Sequence, residues 1–308
     1  MALAVGTVAA KLRVLLGFSR VLQATLSVAQ PCFVALVAVH GFPSLSRTIF
    51  ALSVAYAGYL SVFALNDLSD ERLDRRRFQN LRRHSGFDVD AALMRHPLAQ
   101  GYLTYRQGIL WISALALYAF VGAFALSPWA ALLFVGAAAL EWIYCRLAIV
   151  TAWKFLPSGA MVAIGSLAGW FAVTGGIDLP VMTILFAWMF CWEIGGRNIV
   201  NDWADVEEDV HLGIRTVPVV FGQKAAVWLI TAFLFGVLAS SILLAFVAQL
   251  GEFYLLVAVS AGYFFLLRPG FQLLRHPEPA TALSLFNRAS LYPVFMLLGL
   301  TIGSALSQ

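Results

Sequence analysis

Two stretches of this chain, NDLSDERLD at 66–74 and NDWADVEED at 201–209, spell one pattern, N-D-x-x-D-x-x-x-D. On a helix of 3.6 residues per turn, positions i, i+3 and i+7 fall within about 60° of one another. Asp67, Asp70 and Asp74 would then share one face, and Asp202, Asp205 and Asp209 another. Carboxylates gathered this closely repel one another unless a cation lies between them. Mg²⁺ takes oxygen ligands, is held by one or two carboxylates, and completes its shell with water and substrate phosphates. Two such helix ends facing each other would clamp a diphosphate, the metal neutralising charge that builds on the leaving group. A lone D-x-x-D at a helix end is ordinarily a solvated face; the repeat, asparagine included, argues for metal. A calcium loop does not fit, because neither stretch carries D-x-[DN]-x-[DN]-G.

The elements that must position these residues are apolar helices. The 308 residues are 61% hydrophobic and only 12% charged, with mean hydropathy +0.84, whereas soluble domains carry about 25% charged residues. The fold class is therefore all-α, a polytopic membrane bundle. Crossing a bilayer takes about 20 mostly apolar residues. Nine stretches qualify, at roughly 21–41, 46–65, 106–126, 128–145, 154–175, 180–200, 225–248, 252–268 and 285–306. They make a single transmembrane domain over 1–308, with an interfacial segment at 1–20 and cap loops at 66–105 and 201–224. The charges of the first twenty residues follow the apolar part, the reverse of a cleavable signal peptide. Cys32, Cys145 and Cys191 form no CxxC pair and read as buried thiols.

Of the 20 cations, all but Arg47 fall before span 1 or around the connections after spans 2, 4, 6 and 8. The positive-inside rule then puts the N-terminus and both aspartate motifs on the cytoplasmic side and the C-terminus opposite. Cations distributed in this way face headgroups and a site; no nucleic-acid partner is expected.

The motifs, in this order on the ends of a nine-span chain, resemble the UbiA superfamily of intramembrane prenyltransferases. RHPLAQGYLT at 95–104 is similar to the family's R-P-L-x-x-G segment, and EWIYCRLAIVTAWKFLPSG at 141–159 to its Tyr-then-basic loop. GGRNIVNDWADVEEDVHLGIRTVPVVFG at 195–222 is similar to its second motif followed by G-x-x-T-x-P. The resemblance implies a lateral cavity under cap loops, with Mg²⁺ held by Asp67, Asp70, Asp74, Asp202, Asp205 and Asp209, and Asn66 and Asn201 orienting or ligating. An isoprenyl diphosphate ionises there, and the allylic cation alkylates an acceptor, commonly an aromatic ring. The resemblance also singles out Tyr144 near that cation.

The residues support the same roles. Arg146, Lys154, Arg197 and Arg215 lie beside the motifs and could take the diphosphate; Arg72, inside motif one, could join them or face water. Snorkelling to headgroups is the competing role for each. Trp142, Trp153, Trp170, Phe171, Trp188, Phe190 and Trp192 could supply cation–π stabilisation, though most should be packing residues. Glu193, inside span 6, could take a proton or place an acceptor, but a bridge to Arg197 one turn on is the plainer expectation; Glu141 is equally ambiguous.

The chain departs from the family in two places. A long basic stretch, 75–94, precedes the R-P-L segment, and His96 stands where the arginine before Pro97 normally lies, with Arg95 one residue early. The basic–Pro start of span 1 is replaced by SRVLQATLSVAQP, in which Gln23 and Gln30 could reach the cavity. Within the superfamily, a terpene cyclase acting without an acceptor is the alternative. A protonation-initiated cyclase lacks its D-x-D-D, since DVDA at 88–91 falls short. The D-G-x-x-A-R signature of a CDP-alcohol phosphotransferase is missing, and a transporter would carry its acids at mid-span.

Overall fold

The computed structural model describes residues 7–80, 87–90 and 92–306, and for 77–80 the backbone alone. Among these residues every regular element is helical. A short α1 (Val8–Phe18) precedes α2 (Val21–Ser27) and α3 (Ala29–Val39), which together form the first apolar segment. α4 (Leu45–Ser69) runs into α5 (Glu71–Asn80). α6 (Tyr105–Leu126), α7 (Pro128–Leu147) and α8 (Phe155–Val173) follow. α9 (Leu179–Trp192) continues through a π-helical turn at Glu193–Asn198 into α10 (Ile199–Ala204), then α11 (Val206–Leu212) and α12 (Val217–Val220). α13 (Gln223–Val247) and α14 (Gly251–Ala261) come next. A second π turn (Gly262–Leu267) leads to α15 (Arg268–Arg275), and α16 (Pro279–Leu306) completes the chain.

Nine helical segments among the described residues are long and apolar enough to cross a membrane, the number expected from hydropathy. Several outrun their expected ends: Leu45–Ser69, Leu179–Ala204 and Gly251–Arg275 carry polar residues in their last turns. Hydropathy stops at the first charge, but backbone hydrogen bonding carries the helix past it. Of the basic stretch at 75–94, residues 81–86 and 91, including Arg82 and Arg83, lie outside the described residues.

Local chemistry sets the helix ends. Thr104 and Gln107 form a reciprocal capping box at the start of α6, and Asp178 caps α9 just before Pro180. Pro31 has no N–H and crowds the carbonyl one turn earlier, and the first span is interrupted at Val28 accordingly. Neighbouring helices in sequence pack on each other, α8 also packs on α3, and α16 returns to α3 to close the bundle. The α3–α8 crossing is close: a Cβ at Gly169 would lie 2.1 Å from the Pro31 carbonyl oxygen.

Both aspartate motifs break their helix at the middle aspartate. Asp70 (φ −93, ψ 2) separates α4 from α5, and Asp205 (φ −99, ψ 12) separates α10 from α11. Helical hydrogen bonds still cross each break, Asp74 N to Asp70 O and Asp209 N to Asp205 O at 2.9 Å. Neither motif is the uninterrupted helix its spacing predicts. Asp70 opens into the main cavity while Asp67 lines a smaller cleft beside it.

Candidate active site

The bundle encloses a cavity of about 580 Å³. Its lining runs from Asn66 to Thr48 along α4, about 27 Å at 1.5 Å per residue and close to a bilayer's hydrocarbon thickness. One end is polar and holds residues of both motifs; the rest is walled by Val54, Val62, Phe134, Met161, Val162 and Leu298.

The polar end starts with the second motif. The Lys154 ammonium lies 2.8 Å from Asp202 Oδ1, both groups buried, and donates to the Tyr144 hydroxyl at 3.3 Å. It also sits 5.0 Å from the Tyr144 ring centroid. The π turn before α10 brings Asn198 round to the same hydroxyl at 3.2 Å and to Ser158 at 3.3 Å. Turns of this kind widen a helix locally and recur at functional sites. Ser158 donates in turn to Glu193 at 2.8 Å. The expected Glu193–Arg197 bridge gives way to other partners. Arg197 donates to Gln23 Oε1 at 2.7 Å and to Ser290, approaches Asp90 at 3.4 Å, and lies 4.2 Å from the Phe286 ring.

Across the cavity, Asn66 is engaged at both ends of its amide, donating to Glu141 at 2.8 Å and accepting from Arg20 at 2.8 Å. Arg20 pairs with Asp90 at 3.0 Å, and the chain around Asp90 is anchored by Asn287, which bonds Val89 N and Phe87 O. Two consecutive residues then straddle both motifs. Arg95 reaches Asp205 at 3.7 Å, while His96 Nδ1 lies 2.6 Å from Asp67 Oδ1 and 2.8 Å from Asp74 Oδ2. His96 adopts φ +47, the left-handed region, directly before a proline; such a backbone costs on the order of 1–3 kcal/mol and persists where its surroundings impose it.

Among the described residues, charge at this end is in excess on the acidic side. Burial, then Asp74 and Glu141, pushes Asp70 up to about 7. Burial alone would lower His96, but Asp74 and Asp67 outweigh it and raise the imidazolium to about 9. Asp67 is 2% exposed, and its Oδ2 is buried without a hydrogen-bond partner. Buried, mutually repelling carboxylates with an unsatisfied oxygen fit a divalent cation.

Of the residues singled out from the sequence, Asn66, Asp70, Asp74, Tyr144, Lys154, Arg197, Asn201, Asp202, Asp205 and Asp209 all line the cavity. Asp67 lines the adjoining cleft. Arg72, Arg146 and Arg215 are exposed and not part of that lining; Arg146 stacks on Trp142 at 5.2 Å. Among the aromatic candidates, Tyr144 and Trp192 face the cavity, Trp142 and Trp153 are exposed, and Trp188 packs against Phe33 and Tyr292. Arg20, Asp90, Asn198 and Ser158 went unrecognised in sequence. Arg20 looked like one more orienting cation, and Asp90 belonged to a stretch judged by a motif it does not match.

Comparison with known proteins agrees with this fold. The chain is 29% identical over 287 residues to a protoheme IX farnesyltransferase of Thermus thermophilus, covering 89% of this chain but 43% of that one. It therefore spans less than half of that relative. It is 28% identical over 199 residues to a mitochondrial 4-hydroxybenzoate polyprenyltransferase of Arabidopsis thaliana, 64% of this chain and 45% of that one. A UbiA homologue from Archaeoglobus fulgidus, solved bound to DMAPP and Mg²⁺, shares the fold at TM-score 0.65 and 17% identity, over 92% of this chain and 99% of that one. The sequence model of the UbiA prenyltransferase family matches residues 27–298, a range that holds both aspartate motifs and the Lys154–Tyr144 pair between them, and this chain belongs to that family.

Proposed function

We propose that this chain is a Mg²⁺-dependent intramembrane prenyltransferase that moves an isoprenyl group from an allylic diphosphate to an aromatic acceptor. The observation that carries this reading is the convergence of two aspartate motifs with buried Lys154 and Arg197 at the polar end of an otherwise apolar cavity. Asp67, Asp70, Asp74, Asp202, Asp205 and Asp209 would hold the metal, with Asn66 and Asn201 orienting them. Bound there, Mg²⁺ supplies charge neutralisation to the departing diphosphate. Lys154 and Arg197 take phosphate oxygens, and exposed Arg72, Arg146 and Arg215 would act only in drawing the anion in.

The apolar length of the cavity takes the prenyl chain. Tyr144 and Trp192 present ring faces beside the cations, where an allylic cation would form. As the C–O bond to diphosphate breaks and the new C–C bond forms, a ring proton must leave the acceptor. Glu193, lining the cavity and held by Ser158, is the carboxylate placed to take it. The relatives are named for transfer to ring-bearing acceptors, protoheme IX and 4-hydroxybenzoate, which supports an aromatic acceptor. The cation distribution supports a cytoplasmic site.

The test uses purified protein with Mg²⁺ and radiolabelled C10, C15 and C20 allylic diphosphates, first alone and then with a panel of aromatic acceptors. Turnover that waits for an acceptor, and labels it, is the expected result. Cyclic hydrocarbons or alcohols formed without acceptor would replace this reading by a terpene cyclase.

A further inference from the structure

The two motifs are not chemically equivalent. Among the described residues the second offers oxygen ligands, from Asp202, Asp205 and Asp209, whereas the first brings an imidazole nitrogen into its carboxylates. Asp67, Asp74 and His96 can each contribute one ligand atom with all three atoms within 4.8 Å of one another, and all three residues are buried. Two independent features point to a ligand there. Asp67 Oδ2 is buried with no hydrogen-bond partner, and Asp67 and His96 line a cleft of about 50 Å³ shared with Asn201 and Asp205 of the other motif.

We infer that His96 is a metal ligand, making the first-motif site a mixed imidazole–carboxylate centre that selects a borderline divalent cation such as Co²⁺ or Zn²⁺ over Mg²⁺. Imidazole favours the later first-row metals, whereas carboxylate and water suit Mg²⁺. Mg²⁺ also keeps its waters and demands near-ideal octahedral geometry, which a side chain fixed between two aspartates does not readily supply. The imidazole gives up to solvent the proton it shares with Asp67 when the metal enters. The second motif keeps its all-oxygen set. This inference rests on the reading above, since it concerns which ion one of the two motifs takes.

The test is pulsed EPR on the full-length chain, stripped with chelator and loaded with Mn²⁺ alone. A ¹⁴N coupling from a directly bound imidazole is expected in the parent protein and lost in His96→Arg, which keeps a cation at this position but offers no metal-binding nitrogen. His96→Gln serves as the second variant should the arginine disturb folding. Competition of Co²⁺ against Mg²⁺ should show the Co²⁺ preference shrinking in the same variants. Bound Mn²⁺ with oxygen ligands only in the parent would overturn the inference, leaving His96 as an internal counter-ion while the metal site itself stands. No Mn²⁺ bound at all would sink the metal site and the inference together.

Discussion

Lys154 shows how much one buried side chain can decide. It neutralises Asp202, contacts Tyr144, and sits where a diphosphate oxygen must be met. Lys154→Met should lower kcat/KM by about two orders of magnitude, the scale of losing one preorganised charge donor. It should also destabilise the metal-free protein by about 3–5 kcal/mol, because buried Asp202 loses the ammonium that pairs with it. Thermal unfolding with and without Mg²⁺ checks the second effect, which the metal should partly reverse. The pH behaviour of the metal-free fold follows from two shifted groups. Asp70 moves from 3.8 to about 7, so the folded state holds the extra proton, and the cost of burying its charge grows as pH rises through that interval. His96 moves from 6.5 to about 9, so its stabilisation is complete below 6.5 and is lost as pH rises through 9. Both signs agree: the melting temperature of metal-free protein should fall between pH 5 and about 9, and saturating metal should flatten that slope.

At the scale of elements, the site depends on helices that break and cross where function needs them. The repeated N-D-x-x-D-x-x-x-D made the two motifs legible, because a period-based argument needs only spacing. It could not show that each helix breaks at its middle aspartate, since Asp70 and Asp205 carry no glycine or proline to announce it. Nor could it show the partners of Arg20, Asp90 and His96, which meet their targets across 29 to 107 residues of chain. The α3–α8 crossing offers a cleaner test. Gly169→Ala places a Cβ into the Pro31 carbonyl and should cost about 1–3 kcal/mol or more by overpacking. Gly165→Ala, whose Cβ would meet Ala137 at an ordinary 3.8 Å, should be nearly neutral. Comparable losses at both positions in a thermal-shift assay would mean the close crossing is not what limits packing there.

For the whole molecule, composition sufficed to give nine spans and an all-helical bundle, because burial in lipid leaves helices as the simplest way to satisfy each backbone group. It could not give the size of the cavity, which depends on how spans far apart in sequence lean on one another. That size should set prenyl length. Ala51 lines the end remote from the aspartates, and Ala51→Phe should favour C10 over C20 diphosphate by about tenfold or more in kcat/KM, as expected when a methylene-filled slot is blocked. An unchanged length preference would place the prenyl chain elsewhere. The most direct test of the central claim is Mg²⁺-dependent binding of a non-reactive isoprenyl thiodiphosphate to the parent protein, Asp67→Ala, Asp202→Ala and the double variant. If both motifs grip one diphosphate, either single change should remove most of the binding and the double change little more. Losses that simply multiply, or binding indifferent to Mg²⁺ and to both aspartates, would contradict a shared site.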